Sequence, residues 1–153
     1  MKLHPTLFTT CLLAAIAVSG LSAATSGIRM VVISAFDTMK YSVNTIEAHP
    51  GEKITVELKN EGTLPKEAMG HNWVLLKAGV DPQAYANAAM TAKAQDYEPS
   101  SMADKVIASI KTLGPRESGS ATFTAPAAPG KYPYLCSFPA HCQVGMKGVL
   151  VVK

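Results

Sequence analysis

Lys53-Ile54-Thr55-Val56-Glu57-Leu58-Lys59 alternates polar and apolar residues without a break. Side chains on an extended chain point alternately to opposite faces, so this stretch makes a strand with one buried and one wet face. His49-Pro50-Gly51 just before it is turn chemistry. Working outward, further strands are expected over residues 28–34, 41–46, 72–76, 106–110, 118–124, 131–136 and 146–152. Gly114-Pro115 and the run from Pro126 to Gly130 separate the later ones, and Pro133 predicts an edge or irregular position for its strand. Residues 82–95 break the pattern, being rich in Ala and free of β-branched residues except Thr91. Asp81 can cap a helix there, and Pro82 suits its first position. About eight short strands with one inserted α-helix predict an all-β Greek-key β-sandwich.

The first 24 of the 153 residues stand apart. Lys2 supplies a positive head, residues 7–18 are largely apolar, and Ser22-Ala23-Ala24 offers small residues for cleavage. That is a secretory signal, too short for a spanning helix. Residues 25–153 then form one domain by size. No further long apolar stretch follows, so no membrane insertion is expected, and no cysteine follows the signal closely enough for lipid anchoring. The sequence predicts export to a bacterial periplasm. The formal charge of +3 falls to +2 once Lys2 is removed. A charge so small, without basic runs interleaved with aromatics, excludes nucleic acid as partner.

Cys11 leaves with the signal, so Cys136 and Cys142 remain. In an oxidising compartment two cysteines by themselves predict a disulfide. The run Cys136-Ser-Phe-Pro-Ala-His141-Cys-Gln-Val-Gly-Met146, with His71 far upstream, offers a second reading. A thiolate, two imidazoles and a thioether are the ligand set that holds copper for electron transfer. A bridge between residues 136 and 142 would close only a short loop and give His141 and Met146 no role. Cys142, next to His141, should point away from an ion that His141 contacts; as an exposed thiol it could instead join two chains. Zinc held by His71, Cys136, His141 and Cys142 is conceivable but crowded. His49 reads as a turn residue, Trp73 as core, and Tyr132 and Tyr134 as packing at the sheet ends.

The segment Leu64-Pro65-Lys66-Glu67-Ala68-Met69-Gly70-His71-Asn72-Trp73-Val74-Leu75 resembles the first copper-ligand segment of the azurins. Cys136-Ser137-Phe138-Pro139-Ala140-His141, followed by Met146-Lys147-Gly148, resembles their ligand loop. The resemblance implies a cupredoxin fold and one type 1 copper ion. His71, Cys136 and His141 would be the equatorial ligands, Met146 a weak axial ligand, and the Gly70 carbonyl would approach from the opposite side. Asn72 would hold the ligand loop, and the Phe138 backbone would donate toward the Cys136 sulfur. Met39, Leu64, Ala68, Met69, Phe138, Pro139 and Ala140 match positions forming an apolar collar around the exposed edge of His141.

Three features depart from the azurin pattern. Four residues, Cys142 to Gly145, separate His141 from Met146 where azurins have three, a spacing that resembles auracyanin and plastocyanin. The amino-terminal disulfide is absent. Asn60 stands in the region of a redox-linked histidine, so no strong pH dependence is expected from that source. The implied function is a diffusible, monomeric electron carrier between redox proteins of cytochrome or copper-reductase type, turning over no substrate. Catalysis would need an open coordination position or a second metal. Copper delivery or storage is the alternative.

Overall fold

The computed structural model describes residues 27–153, so the signal segment lies outside the described residues. Among the described residues nine strands form two sheets. They are β1 (Arg29–Phe36), β2 (Lys40–Tyr41), β3 (Thr45–Ala48), β4 (Lys53–Asn60), β5 (His71–Leu76), β6 (Val106–Leu113), β7 (Ser118–Thr124), β8 (Gly130–Leu135) and β9 (Lys147–Val152). One sheet has the order β2-β1-β4-β7, the other β3-β9-β8-β5-β6. β1 runs parallel to β4 and β3 parallel to β9; the remaining pairs are antiparallel. The result is a β-sandwich, as the alternating strands predict.

β4 carries the alternation into the structure. Ile54, Val56, Leu58 and Asn60 are buried, while Lys53, Thr55, Glu57 and Lys59 keep access to solvent. Trp73 lies between the sheets, its ring centroid 5.6 Å from Tyr134 and 6.0 Å from Phe123. Tyr134 is therefore a core residue, not a sheet-end one; its hydroxyl reaches the Val43 carbonyl at 2.8 Å. All six residues of β5 are buried. Trp73 and Leu75 face the main core, whereas Val74 and Leu76 meet Tyr85, Ala86, Leu135 and Cys142 in a second cluster.

Several boundaries differ from expectation; β1 and β6 run on to Phe36 and Leu113, and larger differences lie elsewhere. The strand expected over 41–46 is two, β2 and β3, because the chain crosses there between sheets. Ser42 N–H donates to Ser34 on one sheet, and Val149 N–H donates to Asn44 beside the other. The helix α2 spans Pro82–Ala89, capped by Asp81 Oδ1 accepting from Gln83 N–H at 2.9 Å. It stops short of residue 95 because the chain tightens to a 3₁₀ turn, Lys93–Gln95, and leaves it through left-handed Asp96 and Tyr97 (φ 57° and 61°). A single turn, α1 (Lys66–Met69), follows Pro65 and was not expected. Pro133 sits in an interior strand, but β8 pairs with β5 only through Tyr134 and Leu135. Pro133 thus lies beyond the short β5 pairing, with only β9 in register beside it.

Candidate metal centre

The loop between β8 and β9 folds on its own backbone. Cys136 N–H donates to Met146 O at 3.0 Å, Met146 N–H to His141 O at 2.9 Å, and His141 N–H to Phe138 O at 3.1 Å. This pins Cys136 just past the end of β8 and Met146 one residue before β9, where the sequence suggested that Met146 opens the strand. His71 begins β5, paired with Leu113 of β6. The loop and the strand start converge at one end of the sandwich.

There His71, Cys136 and His141 bring one ligand atom each to within 4.8 Å of one another. The two Nδ1 atoms face each other at 3.2 Å, and Cys136 Sγ lies 3.4 Å from His141 Nδ1. Both other ligating residues are fully enclosed, and His141 keeps 2% exposure, so the expected exposed edge is no more than a sliver. Met146 is also buried. Gly70, immediately before His71, has no room for a side chain: a Cβ would lie 2.5 Å from Thr112 Cγ2 and 2.7 Å from Lys66 O. That close approach explains glycine at a position with ordinary φ of −65°.

Burial pushes the Cys136 thiol up to about 12, against an opposing pull from the Asn72 and Phe138 backbone N–H groups. Burial, with repulsion from His71, lowers His141 to about 4. Burial also lowers His71, partly offset by the Asp37 charge and the Phe36 carbonyl. The imidazoles are therefore neutral at pH 7 and offer lone pairs, while the thiol needs a cation to lose its proton. Two soft-to-borderline nitrogens and one sulfur in a dry pocket suit copper. The residues fit the ion.

Asn72 bridges to the loop. Its Nδ2 donates to Ser137 Oγ at 2.7 Å, and its Oδ1 accepts from Ser137 N–H at 2.8 Å. Ser137 Oγ donates to Tyr97 O at 2.7 Å, and the Tyr41 hydroxyl donates to Asn72 O. Ser137, Tyr97 and Tyr41 escaped the sequence reading. Ser137 could have been noticed as the neighbour of Cys136; the tyrosines give no local signal. Phe138 is buried with its ring 4.8 Å from His141 and 4.9 Å from Tyr97, so its side chain is an inner wall and not part of an outer collar. Leu64, Ala68 and Ala140 are exposed, while Met39, Met69 and Pro139 are half-buried. Asn60 is buried, donating to Leu113 O at 3.2 Å and accepting from Gly62 N–H.

Both cysteines are free, which removes the disulfide. Cys142 is not among the clustered ligands and is not exposed. It lies beneath α2, its Sγ 3.7 Å from Pro82 O, because the inserted helix covers that side of β5.

Residues 28–153 match the family described as copper binding proteins, plastocyanin/azurin family. An azurin from Pseudomonas fluorescens biotype C is 37% identical over 126 residues, covering 80% of this chain and 97% of the relative. An azurin from Achromobacter denitrificans is 42% identical over 122 residues, covering 77% and 80%. Among solved structures, dithionite-reduced auracyanin from the photosynthetic bacterium Roseiflexus castenholzii superposes with a TM-score of 0.72 at 37% identity, covering 83% of this chain and 99% of that one. An azurin from Methylomonas sp. strain J gives 0.71 at 30% identity, covering 82% and 98%. With its sandwich, its enclosed His–Cys–His cluster and this likeness, the chain belongs to the plastocyanin/azurin family of copper-binding proteins, and its site fits a single type 1 copper ion.

Proposed function

We propose that this protein is an exported, periplasmic, monomeric electron carrier that exchanges single electrons with redox proteins through the edge of His141. The observation that carries the reading is the buried triad of His71, Cys136 and His141 at the end of a rigid sandwich. When bound, copper supplies a one-electron couple between Cu(II) and Cu(I). The protein's part is to bind and to resist rearrangement. His71, Cys136 and His141 would hold the ion, with Met146 and the Gly70 carbonyl as weaker contributors, and the enclosure excludes water. A site so filled offers no open position for a substrate, which is why the reading is a carrier and not an enzyme.

Met39, Leu64, Ala68, Met69, Pro139 and Ala140 would make the docking patch for partners of cytochrome or copper-reductase type. A small, charge-poor patch suits brief encounters that release quickly. Among the described residues no helix is long and apolar enough to cross a membrane. Cleavage near Ala24 would release residues 25–153. Enclosed ligands argue against copper delivery, which needs a ligand an acceptor can reach.

The test is an optical spectrum of the copper-treated, oxidised protein. An intense thiolate-to-copper band is expected, lost in Cys136→Ser and on reduction, with a reversible wave at an electrode. A colourless product refutes the reading. Ready copper transfer to an apo acceptor without a reversible wave would replace it with copper handling.

A further inference from the structure

Lys40 is exposed, and among the described residues it makes no salt bridge. Its ammonium still has a fixed partner: Nζ donates to the Val144 carbonyl at 2.7 Å, between residues 104 apart in sequence. Holding a long surface side chain in one geometry costs rotamer freedom. What the bond secures is the turn that joins His141 to Met146.

That turn closes where Met146 N–H donates to His141 O at 2.9 Å, and four residues fill it. Inside it Val144 N–H donates to Ala140 O at 3.2 Å and Gly145 N–H to Cys142 O at 3.0 Å. Gly145 is left-handed, with a φ of 96°, and Lys147 N–H donates to its carbonyl at 2.9 Å. The Cys142 and Gly145 carbonyls therefore have backbone donors, and the Val144 carbonyl has Lys40. A side chain at 145 would crowd that ammonium, since a Cβ there would lie 3.2 Å from Nζ. Gln143 and Val144 are exposed, so burial does little to hold the tip. Gln143 Nε2 comes no nearer than 3.5 Å to Asn87 Oδ1 of α2, which leaves Lys40 as the firmer tie.

The next residue of β2 carries a second tie. Pairing of Lys40 with Phe36 and of Tyr41 with Ala35 seats β2 on the end of β1. Neighbours on a strand point to opposite faces. Tyr41 turns inward, its ring centroid 5.9 Å from that of Tyr134 and its hydroxyl donating to Asn72 O, while Lys40 reaches out to the loop. We propose that Lys40 is a positioning residue for the metal centre: with Tyr41 it makes β2 a brace that holds the turn between His141 and Met146 against the segment bearing His71. This rests on the metal reading of the triad and not on the carrier role. A charged donor suits the task, because its bond to a carbonyl is stronger than that of a neutral group.

Lys40→Met keeps the aliphatic stem and removes the donor. In the metal-free protein, amide exchange at Gly145 and Met146 should quicken about fivefold, while that at Val56 and Leu58 in β4 is unchanged. A chelator should strip zinc from the variant about fivefold faster for the same reason. The copper form should show an altered electron paramagnetic resonance spectrum, which reports ligand geometry and not stability. Lys40→Arg keeps a charged donor of similar reach and should restore all three readouts. Any of the three left unchanged in Lys40→Met overturns the proposal. So does faster exchange spread equally over β4 and the loop, or a loop change that Lys40→Arg fails to reverse. Should Lys40→Met fail to fold, the wild type decides: a Lys40 Nζ as mobile by nitrogen-15 NMR as that of exposed Lys131 overturns it. A protein that takes zinc but gives no blue copper species would sink the copper reading, while amide exchange in the metal-free protein still judges Lys40.

Discussion

Replacing Asn72 by alanine should unclasp the ligand loop from β5. The side chain is fully buried and makes two bonds to Ser137, at 2.7 and 2.8 Å. Ser137 is itself fully buried, and its N–H has Asn72 Oδ1 as acceptor. Its Oγ would still donate to Tyr97 O, so the hydroxyl keeps a partner. The N–H would not. A buried donor left unmade costs roughly 1–3 kcal/mol, and the lost side-chain bond adds about 1 kcal/mol. The sum is about 3 kcal/mol, which for a domain of this size lowers Tm by roughly 10 °C. Thermal unfolding of the metal-free protein measures this without involving the ion. Ser137→Ala removes only the hydroxyl, so a double-mutant cycle between the two should give a coupling of about 1 kcal/mol. Because Asn72 holds a ligand-bearing loop, zinc should also leave roughly 10–100-fold more readily under chelator challenge. Asn72→Ala melting within about 3 °C of wild type, or a coupling near zero, would refute the clasp.

Two further outcomes follow from proton affinities. His141 titrates near 4 in the folded metal-free protein and near 6.5 when unfolded, so below 6.5 the unfolded chain takes up the proton first. Stability of the metal-free protein should therefore be full above pH 6.5 and fall as pH drops toward 4, by up to about 3 kcal/mol. Zinc-loaded protein should hold its stability further into that window; a flat melting profile of the metal-free form between pH 7 and 4.5 would contradict it. With the Cys136 thiol near 12 and the imidazoles neutral, loading zinc at pH 7–9 should release one proton. Calorimetry in buffers of different ionisation enthalpy counts it, and a count of zero would mean the thiol is not a ligand.

Legibility varied with the kind of signal each segment carries. β4 was plain because one face is wet, and β7 matched at both ends. β5, buried on both faces, has no alternation and was found through the residues around His71. The division of 41–46 into β2 and β3 could not be seen, since the crossing is fixed by bonds to Ser34 and Val149, distant in sequence. Likewise the early end of α2 gives no local signal, since Met90 at its C-cap stays right-handed and the left-handed Asp96 and Tyr97 come only after the 3₁₀ turn, with no glycine to announce them. His71, Cys136 and His141 were readable because ligand chemistry restricts residue type. Tyr41 and Tyr97 were not, because one gives a hydroxyl and the other a backbone carbonyl, which many residues could supply. The burial of Cys142 needed knowledge of where α2 packs.

The same contacts join the site to the rest of the sandwich without any ion. Tyr41 ties β2 to Asn72, Asn72 ties β5 to Ser137, and Ser137 ties the loop to Tyr97 beyond the inserted helix. Within the loop, bonds from Cys136, His141 and Met146 satisfy the backbone without any ion. This frame holds the two imidazole Nδ1 atoms 3.2 Å apart, close enough for one neutral ring to donate to the other, beside a thiol whose proton is hard to remove. The three side chains thus stand together in the fold itself and need not be gathered when a cation arrives. Such a frame would oppose movement when a bound charge changes by one, which is the condition for fast electron exchange in the carrier proposed above.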